Sequence, residues 1–316
     1  MRKSFFLLAV LCGLLSVSQG FQTLVQAQEK QFTIDQVMSA PFASDLVAAP
    51  VAGRVAWVLN AKGARNIWVA DPPGYKGRQI TSYVEDDGME IGELTWTPDG
   101  RSIVFTRGGD LEGFGENPNP HSQAEEPKQG IWMVSLDGRL RHLAEGHSAT
   151  IAAKGGHLAF IFKRDVWSVR LDGSEKAALL FQTKGRSNSI HWSPDDAKIS
   201  FISSRGDHNF VGVYDTATKG ILYLDPSVDR DSEPIWSRDG KQVAFIRIPT
   251  SREAGAFAPK RAGRPWSIRV ADVETGRARE VWRADEGRGS VFRNVVAHDQ
   301  LLWSADNRIV FPWEKD

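Results

Sequence analysis

The chain has 316 residues, 41% of them hydrophobic, and its 39 lysines and arginines balance its 39 aspartates and glutamates. That length buries a large core, as one big domain or two small ones. The charge balance supplies no net field toward nucleic acid or an anionic membrane surface; 11 tryptophans and 29 glycines are the departures from an ordinary globular composition.

The N-terminus reads as a targeting segment. Arg2 and Lys3 precede an apolar run from Phe5 to Leu15, too short to span a bilayer comfortably. Small residues offer cleavage after Gly20 or after Ala27, and Val25-Gln26-Ala27 favours the second. Residues 1–27 are therefore read as a signal peptide, whose removal takes away two cations and no anion. Cys12, the one cysteine, lies inside it, behind Leu11, a poor residue to precede a lipidated cysteine. The mature chain is expected to carry no thiol, no disulfide and no cysteine metal site. Export without cysteine fits a bacterial periplasmic or secreted protein, free of the membrane once the signal is cleaved.

Residues 28–44 read as a lead-in with a short helix in Phe32–Met38. A strand pattern follows. One repeat reads Trp96-Thr97-Pro98-Asp99-Gly100, Trp192-Ser193-Pro194-Asp195-Asp196, Trp236-Ser237-Arg238-Asp239-Gly240 and Trp303-Ser304-Ala305-Asp306-Asn307. Each copy leads into an apolar-rich run: Ile103-Val104-Phe105, Ile199-Ser200-Phe201, Val243-Ala244-Phe245 and Ile309-Val310-Phe311. A second repeat runs out of phase, as in Ile131-Trp132-Met133-Val134-Ser135-Leu136-Asp137-Gly138 and Val166-Trp167-Ser168-Val169-Arg170-Leu171-Asp172-Gly173. Alternation with β-branched and aromatic residues predicts strands, and the Asp-Gly pairs predict hairpin turns with positive φ.

Together the repeats predict four antiparallel strands about every 40–50 residues, the period of a β-propeller blade. Blades are read near 45–81, 91–143, 149–181, 189–224 and 232–282. A sixth begins near 291 and is cut short at Asp316. The third lacks the tryptophan turn and has Lys154-Gly155-Gly156-His157 instead. The expected fold is all-β, a propeller of about five complete blades plus a truncated one over 45–316, in an incomplete ring. The Trp, Pro, Asp and Gly of the repeat are assigned to turns and blade packing. An immunoglobulin-like sandwich is disfavoured, because its cysteine–tryptophan–cysteine spacing is absent.

The tryptophan-proline-aspartate repeat resembles two groups of exported propellers. One is the periplasmic propeller of the Tol system. The other is the N-terminal propeller of the prolyl oligopeptidase family, in its dipeptidyl-peptidase-IV-like and acylaminoacyl-peptidase-like branches. Phe32-Thr33-Ile34-Asp35-Gln36-Val37-Met38, Tyr83–Gly92, Arg107-Gly108-Gly109-Asp110, Gly115–Pro120, Pro265–Val270 and Val310–Glu314 favour the second. In that family the propeller caps a C-terminal α/β-hydrolase domain with a serine on a Gly-x-Ser-x-Gly elbow. The resemblance implies the non-catalytic propeller of an exported serine peptidase that hydrolyses short peptides, its hydrolase domain absent from this chain. Peptide substrate would be met through that missing domain. The chain alone is expected to be inactive.

No Gly-x-Ser-x-Gly elbow is present. Gly146-His147-Ser148-Ala149-Thr150 and Gly185-Arg186-Ser187-Asn188-Ser189 each lack the second glycine, and both are read as lying between blades. No zinc-protease, P-loop or dinucleotide motif occurs. His121 with Glu125 and Glu126 fits no standard metal spacing. No metal, cofactor or nucleic-acid partner is expected. Glu85, Asp86, Asp87 and Glu90, with Glu93 beyond, form an acidic patch entering the second blade. In dipeptidyl-peptidase-IV-like enzymes propeller glutamates hold the substrate's free amino terminus, since a buried ammonium requires carboxylate partners. No motif matching theirs occurs here, so that role is not carried over. The first four stand only as weak substrate-binding candidates, beside a solvated loop or oxygen-ligated calcium. The insertions Gly108–Gln129 and Pro249–Arg264 are read as surface loops that a rigid scaffold uses for recognition.

Two rival functions remain open. A standalone Tol-type propeller would act as a protein-binding module. A sugar- or lactone-acting propeller would bring acidic or histidine side chains into its pore around a metal. Open blade edges also predict self-association.

Overall fold

The computed structural model describes residues 33–109, 122, 124–125, 127–249, 265–286, 292 and 301–313. Residues 1–27 with Cys12, read above as a signal peptide, most of both insertions, His121 and Glu126 lie outside the described residues. A short helix, α1 (Ile34–Met38), belongs to an N-terminal unit ending at Ala40. Thr33 caps it: its hydroxyl accepts the Gln36 N–H and the Gln36 side chain accepts the Thr33 N–H, both at 3.1 Å. No described helix is long and apolar enough to cross a membrane.

The unit from Pro41 onward holds every described strand. The first blade comprises β1 (Phe42–Ala48), β2 (Val55–Ala61), β3 (Ala64–Ala70) and β4 (Arg78–Gln79). The second has β5 (Ile91–Trp96), β6 (Ser102–Arg107), β7 (Gly130–Ser135) and β8 (Leu140–Glu145). The third has β9 (His147–Ile151), β10 (His157–Phe162), β11 (Asp165–Arg170) and β12 (Ala178–Phe181). The fourth has β13 (Arg186–Trp192), β14 (Lys198–Ser204), β15 (Asn209–Asp215) and β16 (Ile221–Tyr223). The fifth has β17 (Arg230–Trp236), β18 (Gln242–Ile248), β19 (Ser267–Asp272) and β20 (Ala278–Arg283). A hairpin, β21 (Leu302–Trp303) with β22 (Ile309–Val310), follows.

Within each blade the strands pair antiparallel in sequence order. A single parallel bridge, Asn209 to Arg230, joins blades four and five. The first strands of neighbouring blades pack in succession, β1 on β5, β5 on β9, β9 on β13 and β13 on β17. This is the propeller that the two repeats predict, with five four-stranded blades and part of a sixth.

The core lies between blades. Val58 and Ile67 of blade one pack with Trp96 and Phe105 of blade two. Val104 and Ile131 of blade two meet Leu158 and Phe160 of blade three. Phe181 of blade three meets Phe201 and Tyr214 of blade four, and Val211 and Leu224 of blade four meet Val243 and Phe245 of blade five. Blade five in turn packs Trp266 and Ile268 against Ile309 and Phe311. The second strands of blades two to five are therefore buried on both faces, which is why they read as apolar-rich runs, whereas β2 of blade one alternates between buried and half-buried residues.

The tryptophan turns close these blades. Thr97, Ser193 and Ser237 each donate a hydroxyl bond to the turn aspartate at 2.6, 2.5 and 2.7 Å. Each hydroxyl also accepts the N–H that opens the second strand, from Ser102, Lys198 and Gln242. These hydroxyl donors hold Asp99, Asp195 and Asp239 below the usual carboxylate range. The residue after each aspartate turns left-handed: Gly100, Asp196 and Gly240 at φ 64°, 65° and 68°. The tryptophan reaches sideways. The Trp96 indole donates to Val47 O of blade one and the Trp236 indole to His191 O of blade four, at 3.3 and 3.0 Å.

Phe201 is fully buried opposite Gly212, where a Cβ would come within 2.3 Å of the ring. It also contacts Phe181 at 4.9 Å between ring centres. Phe201→Ala is expected to cost about 3–5 kcal/mol through lost transfer energy and a cavity between blades, read as a lower urea midpoint of unfolding.

Candidate functional site

The first strand of every blade carries the same irregularity. Two residues oppose one residue of the second strand: Asp45-Leu46 faces Trp57, Glu93-Leu94 faces Phe105, and Ser148-Ala149 faces Phe160. Ser189-Ile190 faces Phe201 and Glu233-Pro234 faces Phe245. These are β-bulges, which re-aim a side chain out of the ladder. In each, the first bulge residue is left-handed: Asp45, Glu93, Ser148, Ser189 and Glu233 have φ of 51°, 54°, 52°, 46° and 53°. None is glycine, and a left-handed non-glycine residue costs of order 1–3 kcal/mol. Strain of this kind at one position in five blades points to function.

All five bulge residues line one cavity of about 720 Å³ along the inner strands. Three are carboxylates. Asn188 and His191 also line it, and among the described residues no lysine or arginine does. A concave site lined by one sign of charge concentrates ligands of the opposite sign.

Glu93 ties two blades together at this level. It accepts the Thr106 hydroxyl at 2.5 Å within blade two, and the Ser148 N–H at 2.6 Å and Ser148 hydroxyl at 3.1 Å from blade three. The Ser148 oxygen lies 3.0 Å from His147 Nδ1. The three side chains do not form a hydrolytic relay. A relay needs histidine between serine and acid, whereas here the serine sits between histidine and acid and its proton goes to the carboxylate. Both glycine-serine near misses also need correction in place. They do not lie between blades; Ser148 is on β9 and Ser187 and Ser189 are on β13, where inward-facing polar residues line the channel.

The acidic patch entering blade two is divided by its partners. Arg65 grips Glu90 through Nε at 3.0 Å and Nη2 at 2.7 Å and reaches Asp86 at 3.4 Å. Arg107 pairs with Asp87 and stacks over Tyr83 with 4.4 Å from Cζ to the ring centre. Glu85 is exposed. None of these four lines the axial cavity; Glu93, the fifth acid of the same run, does. Asp45 and Glu233 are the site residues that sequence reasoning missed. Their common position three residues before the end of each first strand is the signal; in blades two, four and five it is three residues before the turn tryptophan, as in Glu93 and Trp96, Ser189 and Trp192, Glu233 and Trp236. Among the described residues, no three His, Asp or Glu side chains converge to hold a metal ion.

No family model matches the chain. Among solved structures it is similar to an oligogalacturonate lyase from Vibrio parahaemolyticus, at 12% identity over 76% of this chain and 65% of that one, with a TM-score of 0.55. A putative TolB from Agrobacterium tumefaciens matches at 18% identity over 78% and 83%, TM-score 0.47. A puromycin-hydrolyzing peptidase of Mycobacterium tuberculosis matches at 16% over 86% and 50%, TM-score 0.49, so the chain spans half of that enzyme. At these identities the likeness is one of architecture, and the lyase carries it.

Burial holds His147 below the usual histidine value, while the Glu93 carboxylate pulls the other way. A lowered folded value means that the unfolded chain binds more protons, so His147 favours folding above about pH 6.5 and that contribution is lost as pH falls through the lowered value. NMR titration is expected to place the His147 imidazole below 6.5 and, in Glu93→Gln, lower still.

Proposed function

We propose that this chain is the non-catalytic N-terminal propeller of an exported serine peptidase of the prolyl oligopeptidase family, acting in the periplasm or outside the cell. It gates the access of short peptides to an α/β-hydrolase domain. The observation that carries the reading is the axial cavity, to which all five blades contribute a bulge residue, three of them the carboxylates Asp45, Glu93 and Glu233. A peptide's free ammonium is the group such a lining recognises, since a desolvated cation needs carboxylate partners. The tryptophan-turn resemblance supports the family, and entry along the blade axis would restrict substrates by size. Self-association through exposed blade edges belongs to the same proposal.

Two measurements test it. The genomic frame beyond the Asp316 codon is expected to encode Gly-x-Ser-x-Gly followed by Asp and His; a stop followed by unrelated sequence overturns the peptidase parentage in favour of a protein-binding module. Calorimetry with a tetrapeptide is expected to show binding that weakens on the order of tenfold when the amino terminus is acetylated or when Glu233 is changed to Gln, the scale of one charge-assisted bond. Equal affinity for both peptides counts against the axial cavity as the ammonium site.

A further inference from the structure

A second cavity, of about 630 Å³, lies where blades three, four and five meet. Arg164 comes from the β10–β11 turn, Lys184 and Arg186 from the start of β13, Arg205 from the end of β14, and Arg230 from the start of β17. All five cations line it and, among the described residues, no carboxylate does, although Asp207 outside the lining feels the charge of Arg230. Five like charges around one cavity repel one another. That arrangement is costly for a ligand-free fold and is what a ligand of opposite charge relieves.

The cluster is built, not merely accumulated. The Ser187 N–H donates to Arg164 O at 3.0 Å, clasping blade three to blade four. Arg230 Nε donates to Asp207 O at 3.2 Å, and the Asn209 N–H to Asp229 O at 3.2 Å, clasping blade four to blade five. Gly185 lets the strands pass, because a Cβ there would sit 2.4 Å from Ser204 O. Arg205 is fixed in place: its guanidinium lies over Phe210 at 4.7 Å and Tyr223 at 5.2 Å and donates to the Tyr223 hydroxyl at 3.0 Å. Its Nε is buried with no hydrogen-bond partner among the described residues. Arg164, Lys184 and Arg186 are exposed, and among the described residues none of the three is ion-paired. A planar guanidinium held by aromatic faces is pre-organised for oxyanions, and charge-assisted bonds of this type are the strong ones.

We propose that this cavity is a binding site for a small polyanion, a ligand carrying at least two negative charges on phosphate or carboxylate oxygens. Five cations exceed what one carboxylate neutralises, and the volume fits a small molecule. The site stands apart from the acidic axial cavity and does not depend on the peptidase reading.

The test uses the mature chain at fixed ionic strength, with inorganic pyrophosphate, citrate and acetate as probes. Saturable calorimetric binding is expected for pyrophosphate or citrate and at least tenfold weaker binding for acetate. Tighter pyrophosphate identifies a phosphate-bearing ligand, tighter citrate a polycarboxylate. The triple variant Arg164→Gln, Lys184→Gln, Arg186→Gln removes side chains that make no ion pair among the described residues. It is expected to abolish binding and, at low salt, to raise the ligand-free melting temperature by relieving repulsion. Lys176→Gln, on an exposed turn outside the cavity, is expected to bind as the parent does. Acetate binding as well as the polyanions, an unaltered affinity in the triple variant, or no saturable binding to the parent chain overturns the proposal.

Discussion

Each blade accommodates one mismatch, two residues of its first strand against one bulky aromatic of its second. Phe105, Phe160, Phe201 and Phe245 fill the gap in blades two to five, and Trp57 does so in blade one. The four phenylalanines are essentially inaccessible to solvent. The aromatic side chain secures the inter-blade core on one side, and the bulge opposite it releases a polar side chain toward the axis. Packing and channel chemistry are thus set by the same register shift. A bulge cannot be smoothed out without slipping the rest of the strand, which would turn the buried face outward.

The tryptophan turns work at the other end of the same strands. Their hydroxyl–carboxylate pair satisfies the backbone at the corner, and the indole carries the hydrogen bonding into the preceding blade. The copies are not equivalent. Trp96 and Trp236 reach a neighbour's carbonyl, the Trp192 indole N–H is buried without a partner among the described residues, and Trp303 bonds back to its own turn at Asn307. Blade three has no tryptophan turn, yet Gly155 takes the same left-handed conformation at φ 74°. There the Asp196 carboxylate of blade four accepts the Ala153 and Lys154 N–H groups at 2.6 and 2.9 Å. A turn lacking its own carboxylate is held by one from the next blade.

This explains what the sequence made legible. Turn residues repeat because their job is local: a hydroxyl, a carboxylate and a left-handed position within five residues. The strand count and blade limits follow from that repetition. The axial residues repeat in place but not in type, as Asp45, Glu93, Ser148, Ser189 and Glu233, so no motif marks them. Glu85, Asp86, Asp87 and Glu90 attracted attention by density along the chain. Density says nothing about direction, and three of the four face Arg65 or Arg107. The basic cavity was equally hidden, because its five cations are scattered from Arg164 to Arg230 and only the meeting of three blades assembles them.

The acidic channel and the basic rim are close enough to raise the question of whether they act as one. Arg186 and Arg230 open β13 and β17, and Ser189 and Glu233 stand three residues further along the same strands. At 3.3 Å per residue the two levels are about 10 Å apart. The Debye length at physiological ionic strength is about 8 Å, and Arg186 and Arg230 are solvent-exposed. Salt therefore weakens the coupling of rim to channel, less than it would between two exposed charges because Glu233 is half-buried. The charged side chains described in the channel are carboxylates and those described on the rim are cations, so the two cavities differ in sign along the same strands.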